Sequence, residues 1–392
     1  MLSKILNTDL NEQMVVWRHH LHRHPELSFE ERLTSDYIAS VLISKDIKIH
    51  RGLAGTGIVA TIRGEKSGPV IGLRADMDAL PITELNTFDY KSVHEGKMHA
   101  CGHDGHSAML LGAAVFLKEN NNFSGTVHFI FQPAEEGGGG GRVMIEEGLF
   151  ELFPCQAVYG MHNWPGLKKG CFAIHDNEVM AAVDTLDINV KGRGGHAAMP
   201  DQCIDPIVSS SQIINALHSI VSRNIKPTDS AVLSITAINA GSAYNVIPND
   251  VKIKGTLRYF DNNVGEMVKS KMHSIVENIG STMGVSASLT VTPSYPATIN
   301  TKKHAEKCAE AASMVAGKNN VIRDMPPSMG SEDFSFILNA SEGAYIWIGN
   351  GAVPKSQPKG GCMLHNAQYD FNDDVMTLGV SYWAQLVFNI LK

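Results

Sequence analysis

No disulfide framework is written into this chain. Its six cysteines (Cys101, Cys155, Cys171, Cys203, Cys308 and Cys362) are scattered, with no CxxC spacing among them. That pattern fits free thiols in a reducing compartment. Positive charge is not in surplus either: Lys and Arg total 33 against 40 Asp and Glu, a formal net charge of −7. A nucleic-acid or anionic-membrane surface needs a basic face, so neither partner is expected. No apolar run approaches a membrane span, and Met1–Trp17 lacks the apolar core of a signal peptide. Internal repeats and low-complexity linkers are absent. Together these absences predict a cytoplasmic globular protein.

What is present is unusually rich in loop chemistry. At 392 residues the chain exceeds one ordinary core, so two domains are expected. Glycine (36) and histidine (17) are both high for that length. They are densest at Met98–His106, Met-His-Ala-Cys-Gly-His-Asp-Gly-His. Apolar residues at helical spacing follow over Ser107–Leu117, and Asp104 or Ser107 is the expected cap. Cys101 and His103 are two apart, which in extended backbone puts both side chains on one side. A thiolate and an imidazole converging there suit a borderline-soft cation such as Zn²⁺. A polar loop with a buried free cysteine has the same local composition.

The surrounding pattern is α/β. Helices are expected over Leu10–Leu21, stopped by Pro25, and over Glu30–Ser44. Gly57–Arg63 and Pro69–Arg74 read as strands, the second apolar on both faces and delivering Asp76 and Asp78 at its end. Gly125–Phe131 ends in Glu135-Glu136 and five glycines, Gly137–Gly141; Ala157–Met161 ends in His162. Three buried strands in succession stop at polar loops, as in an open sheet whose site lies along one edge. From about Ala182 the strands alternate instead, in the order β-α-β-β-α-β expected of a small inserted α+β domain. The chain then returns through a helix at Thr298–Ala316, a strand at Ala344–Gly349 and a final helix at Asp374–Leu391. The expected domains are 1–183 with 296–392, and 184–295.

Glu135 and Glu136 are adjacent, so extended backbone turns them to opposite sides. One can bind a metal while the other faces water, the division that metal-assisted hydrolysis requires. A solvated acidic turn would look similar, but the glycine run beside it permits close backbone approach. His162 at a strand end and His365 near the far end of the chain complete a mixed set of N, S and O donors: Cys101, His103, Glu136, His162 and His365.

These stretches resemble the M20 metallopeptidase family, specifically its amidohydrolase branch of hippurate hydrolases, N-acyl-amino-acid amidohydrolases and auxin-conjugate hydrolases. The resemblance runs nearly end to end: LHRHPELSFEE at Leu21–Glu31, GLRADMDALP at Gly72–Pro81, MHACGHDGH at Met98–His106 and FQPAEEGG at Phe131–Gly138. It continues through GMHNWP at Gly160–Pro165, KGRGGHAAMP at Lys191–Pro200, NVIPNDVKIKGTLR at Asn245–Arg258, GSEDF at Gly330–Phe334 and LHN at Leu364–Asn366. The resemblance implies a two-metal hydrolase with a catalytic α/β domain and an inserted ferredoxin-like lid that serves substrate closure and homodimerisation.

Residue by residue, the same resemblance puts Cys101, His103, Glu136, His162 and His365 on metal-ligand positions and Glu135 on the general base. His196 falls on the histidine that polarises the scissile carbonyl, from the same or a partner subunit. Asn245 and Arg258 fall on substrate-binding positions. Asp76 and Asp78 are read as residues that orient ligands, or as strand-end turn acids. His22, His24 and His106 are read as structural, and His99 as at most a neighbour of the site. The expected reaction is hydrolysis of N-acyl amino acids, hippurate-like substrates first, with N-acetyl amino acids (N-acetyl-diaminopimelate-like among them) and dipeptides as alternatives. Two divalent ions are expected, with Zn²⁺, Mn²⁺, Co²⁺ and Ni²⁺ all compatible. A Cys101 thiol amidase and an inactive metal-binding scaffold are the readings from other classes.

Overall fold

The computed structural model of the chain describes residues 8–351 and 362–392. They form two compact units: Met1–Val179 with Thr298–Pro326 and Asp333–Lys392, and Met180–Ala297 with Pro327–Glu332.

The larger unit is built on an eight-stranded, mixed and mostly parallel sheet. Its elements are α1 (Thr8–Arg23), α2 (Arg32–Ser44), β1 (Lys48–Leu53), β2 (Gly57–Arg63), β3 (Lys66–Asp76), α3 (His103–Glu119), β4 (Ser124–Gln132), α4 (Gly140–Glu146), β5 (Ala157–Pro165) and β6 (Phe172–Ala173). After the insertion come α7 (Lys302–Ala316), β13 (Val321–Ile322), α8 (Phe334–Ala340), β14 (Gly343–Gly351) and α9 (Met376–Ile390). The strand order is β1-β2-β4-β3-β5-β14-β6-β13. The three strands expected to end at polar loops are therefore neighbours, β4-β3-β5, and run parallel. Asp76 sits beside Gln132 in register, and Trp347 of β14 sits beside His162. Buried parallel strands need apolar residues on both faces, and Val127, Phe129, Ile130, Phe131, Leu73 and Ile346 supply them, all fully buried or nearly so.

Helix α3 is buried nearly all round and packs against α1, α9 and β3. Small residues permit this: a Cβ at Gly112 would lie 2.3 Å from Met14 Sδ. Two expectations fail at its start. The helix begins at His103, four residues earlier than its apolar pattern, and its N-cap is Gly102 at φ 97° with no side-chain cap. Asp104 turns instead to Arg18 and His22, and the Ser107 hydroxyl donates to the Asp76 carbonyl at 2.8 Å. Both side chains serve tertiary partners that the local sequence does not announce.

The smaller unit contains β7 (Ala182–Lys191), β8 (Gly195–His196), α5 (Pro206–Asn224), β9 (Ala231–Ala240), β10 (Val246–Ile247), β11 (Asp250–Tyr259), α6 (Asn262–Met283) and β12 (Ser286–Tyr295). Its four-stranded sheet has the order β9-β11-β7-β12 with every pair antiparallel, the ferredoxin-like topology. β7 buries Leu186, Ile188 and Val190 under the helices and exposes alternate residues. The short pair β8 and β10 sets His196 opposite Val246.

Candidate functional site

The polar ends of β3, β4 and β5 meet the start of α3. Cys101 and His103 do converge, but not through extended backbone: Gly102 takes a left-handed turn and His103 opens the helix. No side chain fits at Gly102, where a Cβ would lie 2.3 Å from the Asn163 amide.

Single ligand atoms of Cys101, His103 and His162 lie within 4.8 Å of one another, as do those of Cys101, Glu136 and His365, and those of His103, Glu135 and Glu136. The five residues expected to hold metal thus fall into overlapping triads with Glu135 beside them. Cys101 Sγ is 3.4 Å from His162 Nε2, and His365 Nε2 is 3.2 Å from Glu136 Oε1. His365 itself is half exposed and left-handed (φ 64°), its N–H donating to the Ala100 carbonyl.

The neighbouring hydrogen bonds decide which ring nitrogens face inward. His103 Nδ1 donates to the Asp78 carbonyl at 2.9 Å, with the Asp78 carboxylate at 3.2 Å, which leaves Nε2 for the site. His162 Nδ1 donates to the Asn163 carbonyl at 2.6 Å and likewise presents Nε2. His106 is different: Nδ1 donates to Asp76 at 2.6 Å and Nε2 accepts the Asn163 N–H at 2.9 Å, so both nitrogens are committed. Asp78 also accepts the Glu136 N–H at 2.9 Å, tying the acidic pair to the end of β3. Glu135 is buried and accepts the Asp333 N–H at 3.4 Å.

Whether a cation fits is decided by the donors. Among the described residues His103 Nε2 is a buried atom without a hydrogen-bond partner, and the buried Glu136 Oε1 has His365 Nε2 at 3.2 Å; an unpartnered buried polar atom is costly unless something binds it. Burial pushes the Cys101 thiol well up, and the Glu136, Glu135 and Asp76 carboxylates add to it. Burial opposes charge on His103, yet Asp76, Asp78 and Glu136 outweigh it and raise the ring to about 10. Burial, with His106 beside it, holds His162 well below its ordinary value and so neutral. Negative charge and lone pairs gathered around a thiol are electrostatically unbalanced alone, and a divalent cation among them would reverse the penalty on the thiolate. The donor set fits.

Arg74, Gln132 and Asp333 brace the site without being singled out by the sequence. Arg74 donates to Asp76 at 2.7 Å, Gln132 at 2.8 Å and Asp333 at 2.8 Å, all buried. Burial would raise the Asp76 carboxyl, but His103, Arg74 and His106 hold it well below the usual range. The available signal was an arginine inside an otherwise apolar strand, since a buried charge requires a partner. His22 lies between Asp104 (2.8 Å) and Glu84 (3.1 Å), and His99 is buried with neither ring nitrogen partnered among the described residues.

His196, Asn245 and Arg258 all belong to the smaller unit. His196 is exposed on β8, and its Nδ1 accepts the Ala198 N–H at 3.1 Å. The Asn245 carbonyl accepts the Ala197 N–H at 3.0 Å, which holds the two segments together. Arg258, on β11, donates from Nη1 to the Met329 carbonyl at 2.8 Å.

The chain is similar along most of its length to known proteins. The sequence profile of Peptidase family M20/M25/M40 matches residues 72–389. Hippurate hydrolase of Campylobacter jejuni is 39% identical over 384 residues, 98% of either chain. N-acetyl-L-cysteine deacetylase of Bacillus subtilis is 42% identical over 341 residues, 87% of this chain and 81% of that one. Among solved structures, a dinuclear metal-binding M20 peptidase of Bacillus subtilis superposes with a TM-score of 0.84 at 33% identity, covering 98% of this chain and 99% of its own.

Proposed function

The chain belongs to the M20/M25/M40 peptidase family, and on that premise we propose that it is a metal-dependent amidohydrolase cleaving N-acyl amino acids to a carboxylic acid and a free amino acid. The observation that carries this reading is the buried His103 Nε2, without a hydrogen-bond partner among the described residues, facing Glu136 Oε1 at 4.0 Å in a ring of thiol and imidazole donors with Glu135 alongside. Cys101, His103, Glu136, His162 and His365 would hold two divalent ions, of which Zn²⁺, Mn²⁺, Co²⁺ and Ni²⁺ all suit the mixed donors. A cation bound there supplies Lewis acidity toward water and the scissile carbonyl.

The chain's own groups do the rest. Glu135 takes the proton of the attacking water and returns it to the leaving nitrogen. His196 is a donor to the oxyanion through Nε2, since its Nδ1 accepts the Ala198 N–H. Arg258 pairs with the substrate carboxylate in bidentate fashion, and Asn245 contacts the acyl amide. Hippurate-like substrates come first, on the likeness to a hippurate hydrolase 39% identical over 98% of both chains. N-acetyl amino acids come next, on the likeness to the N-acetyl-L-cysteine deacetylase. We further infer a cytoplasmic enzyme, from six free thiols, and a homodimer formed through the smaller unit, whose edge strand β9 and residues Ile238, Tyr244 and Val246 are exposed. No helix among the described residues is long and apolar enough to cross a membrane.

Chelation should abolish turnover of N-benzoylglycine, N-acetyl amino acids or a dipeptide, and one or more of the four metals should restore it. Absence of turnover with every metal, in protein shown by elemental analysis to be loaded, overturns the substrate reading. The same experiment separates a thiol amidase built on the Cys101–His162 contact, which chelation would spare. Cys101→Ser should weaken metal binding by more than the roughly 10–100-fold that loss of a ligand's hydrogen-bond partner costs, because serine stays a neutral hydroxyl at pH 7. Competition with a chromogenic chelator reads this directly. Wild-type affinity in that variant would remove Cys101 from the ligand set.

A further inference from the structure

Besides His365, Phe29 at φ 64° and Ala134 at φ 55° hold left-handed backbone near the site without being glycine. Ala134 is fully buried and directly precedes Glu135. An L-residue keeps such a conformation only when its surroundings impose it. One side chain reaches both turns. Glu31 is fully buried, and its Oε1 accepts the Phe29 N–H at 3.0 Å and the Ala134 N–H at 2.9 Å. Its Oε2 accepts the Thr56 hydroxyl at 2.9 Å. On the other side of the turn the Ala134 carbonyl accepts the Gly140 N–H at 3.0 Å. Ala134 is thus pinned through both its amide and its carbonyl.

We propose that Glu31 is a positioning residue for Glu135: by accepting the Ala134 N–H it holds the left-handed turn from which Glu135 and Glu136 reach His103. The proposal rests on the reading of Glu135 as the general base. Without the Glu31 oxygen, a buried N–H loses its acceptor and Ala134 relaxes out of the left-handed region. Glu135 then swings with it. The group is costly to keep, since burial, with Asp78 adding to it, pushes the Glu31 carboxyl up to about 7.

The test compares Glu31→Ala, Glu31→Gln, Ala134→Gly and the Glu31→Ala/Ala134→Gly pair, each with metal restored. Amide hydrogen exchange of residues 132–138 should quicken about tenfold or more in Glu31→Ala, while β3 and α3 keep wild-type protection. With the same variant kcat should fall about 10–100-fold at nearly unchanged KM, the cost of a misplaced reacting group. Adding Ala134→Gly should restore much of that kcat, because glycine takes φ near +55° without a steric cost. Ala134→Gly alone should leave kcat near wild type, and Glu31→Gln, whose amide oxygen can accept the same two N–H groups, should stay close to it.

Unchanged exchange in Glu31→Ala, or a double variant no faster than the single one, overturns the proposal. Should Glu31→Ala fail to fold, Glu31→Asp withdraws the oxygen by one methylene with the charge kept, and the same two readouts and the same rescue apply. If the wild type cleaves no N-acyl amino acid, the substrate reading falls while the exchange measurement still decides the role of Glu31.

Discussion

Glu135→Gln is expected to retain metal and substrate while losing turnover by about 10²–10⁴-fold, the range typical of a removed general base. The amide has the shape of the carboxylate and can still accept the Asp333 N–H through its oxygen. What it cannot do is take a proton from water. Glu136 is not a substitute, because its N–H is tied to Asp78 and its Oε1 lies 3.2 Å from His365 Nε2 and 4.0 Å from His103 Nε2. The loss should therefore appear in kcat, with KM little changed, as expected for an interaction made mainly in the transition state. Metal content by elemental analysis should match wild type. A variant that turns over at the wild-type rate would place the base elsewhere. A variant that has lost metal would instead place Glu135 among the ligands.

The sequence makes the frame of this site legible and conceals its bracing. Strands β3, β4 and β5 are apolar enough for their type to be readable from composition, and β3 and β4 stop at Asp76 and Gln132 as expected, but β5 runs on past Met161 through His162 to Pro165. That they are neighbours in the sheet follows from pairing, which composition does not encode. β1 leaves no pattern because its burial runs from exposed to half-buried until Leu53, and β6 and β13 are two residues each, too short to show a period. The convergence of Cys101 and His103 was legible from residue chemistry, but its cause was not. Extended backbone would also have brought them together, and only the left-handed Gly102 and a helix starting at His103 tell the two apart. Asp104 looked like a cap because a helix follows it; its partners Arg18 and His22 lie 86 and 82 residues away. Arg74 and Asp333 are 259 apart. Spacing carries periodicity, and such separations lie outside any period.

The largest effect on stability is expected from Arg18→Met. Arg18 lies on α1 with no exposed surface, and its Nε donates to Asp104 Oδ2 at 3.0 Å. Its other nitrogens face Asp370 and Asp373, and the guanidinium stacks 4.7 Å from the Tyr90 ring centroid. Burial alone would raise the Asp104 carboxyl; Arg18 and His22 hold it far below the ordinary range, so it is charged in the fold. Methionine fills the apolar part of the space but leaves that carboxylate with His22 as its remaining cationic neighbour. Breaking one side of a buried ion pair costs about 3–5 kcal/mol, well above the value of the pair against an apolar replacement. The loss should fall in the larger unit, read by denaturant unfolding with chelator present so that metal binding does not mask it. Adding Asp104→Asn to Arg18→Met removes the stranded charge and should recover a substantial part of the loss, leaving the double variant more stable than the single one. If Arg18→Met unfolds within about 1 kcal/mol of wild type, the scale of a surface pair, then His22 carries a full positive charge beside Asp104 and supplies the compensation by itself.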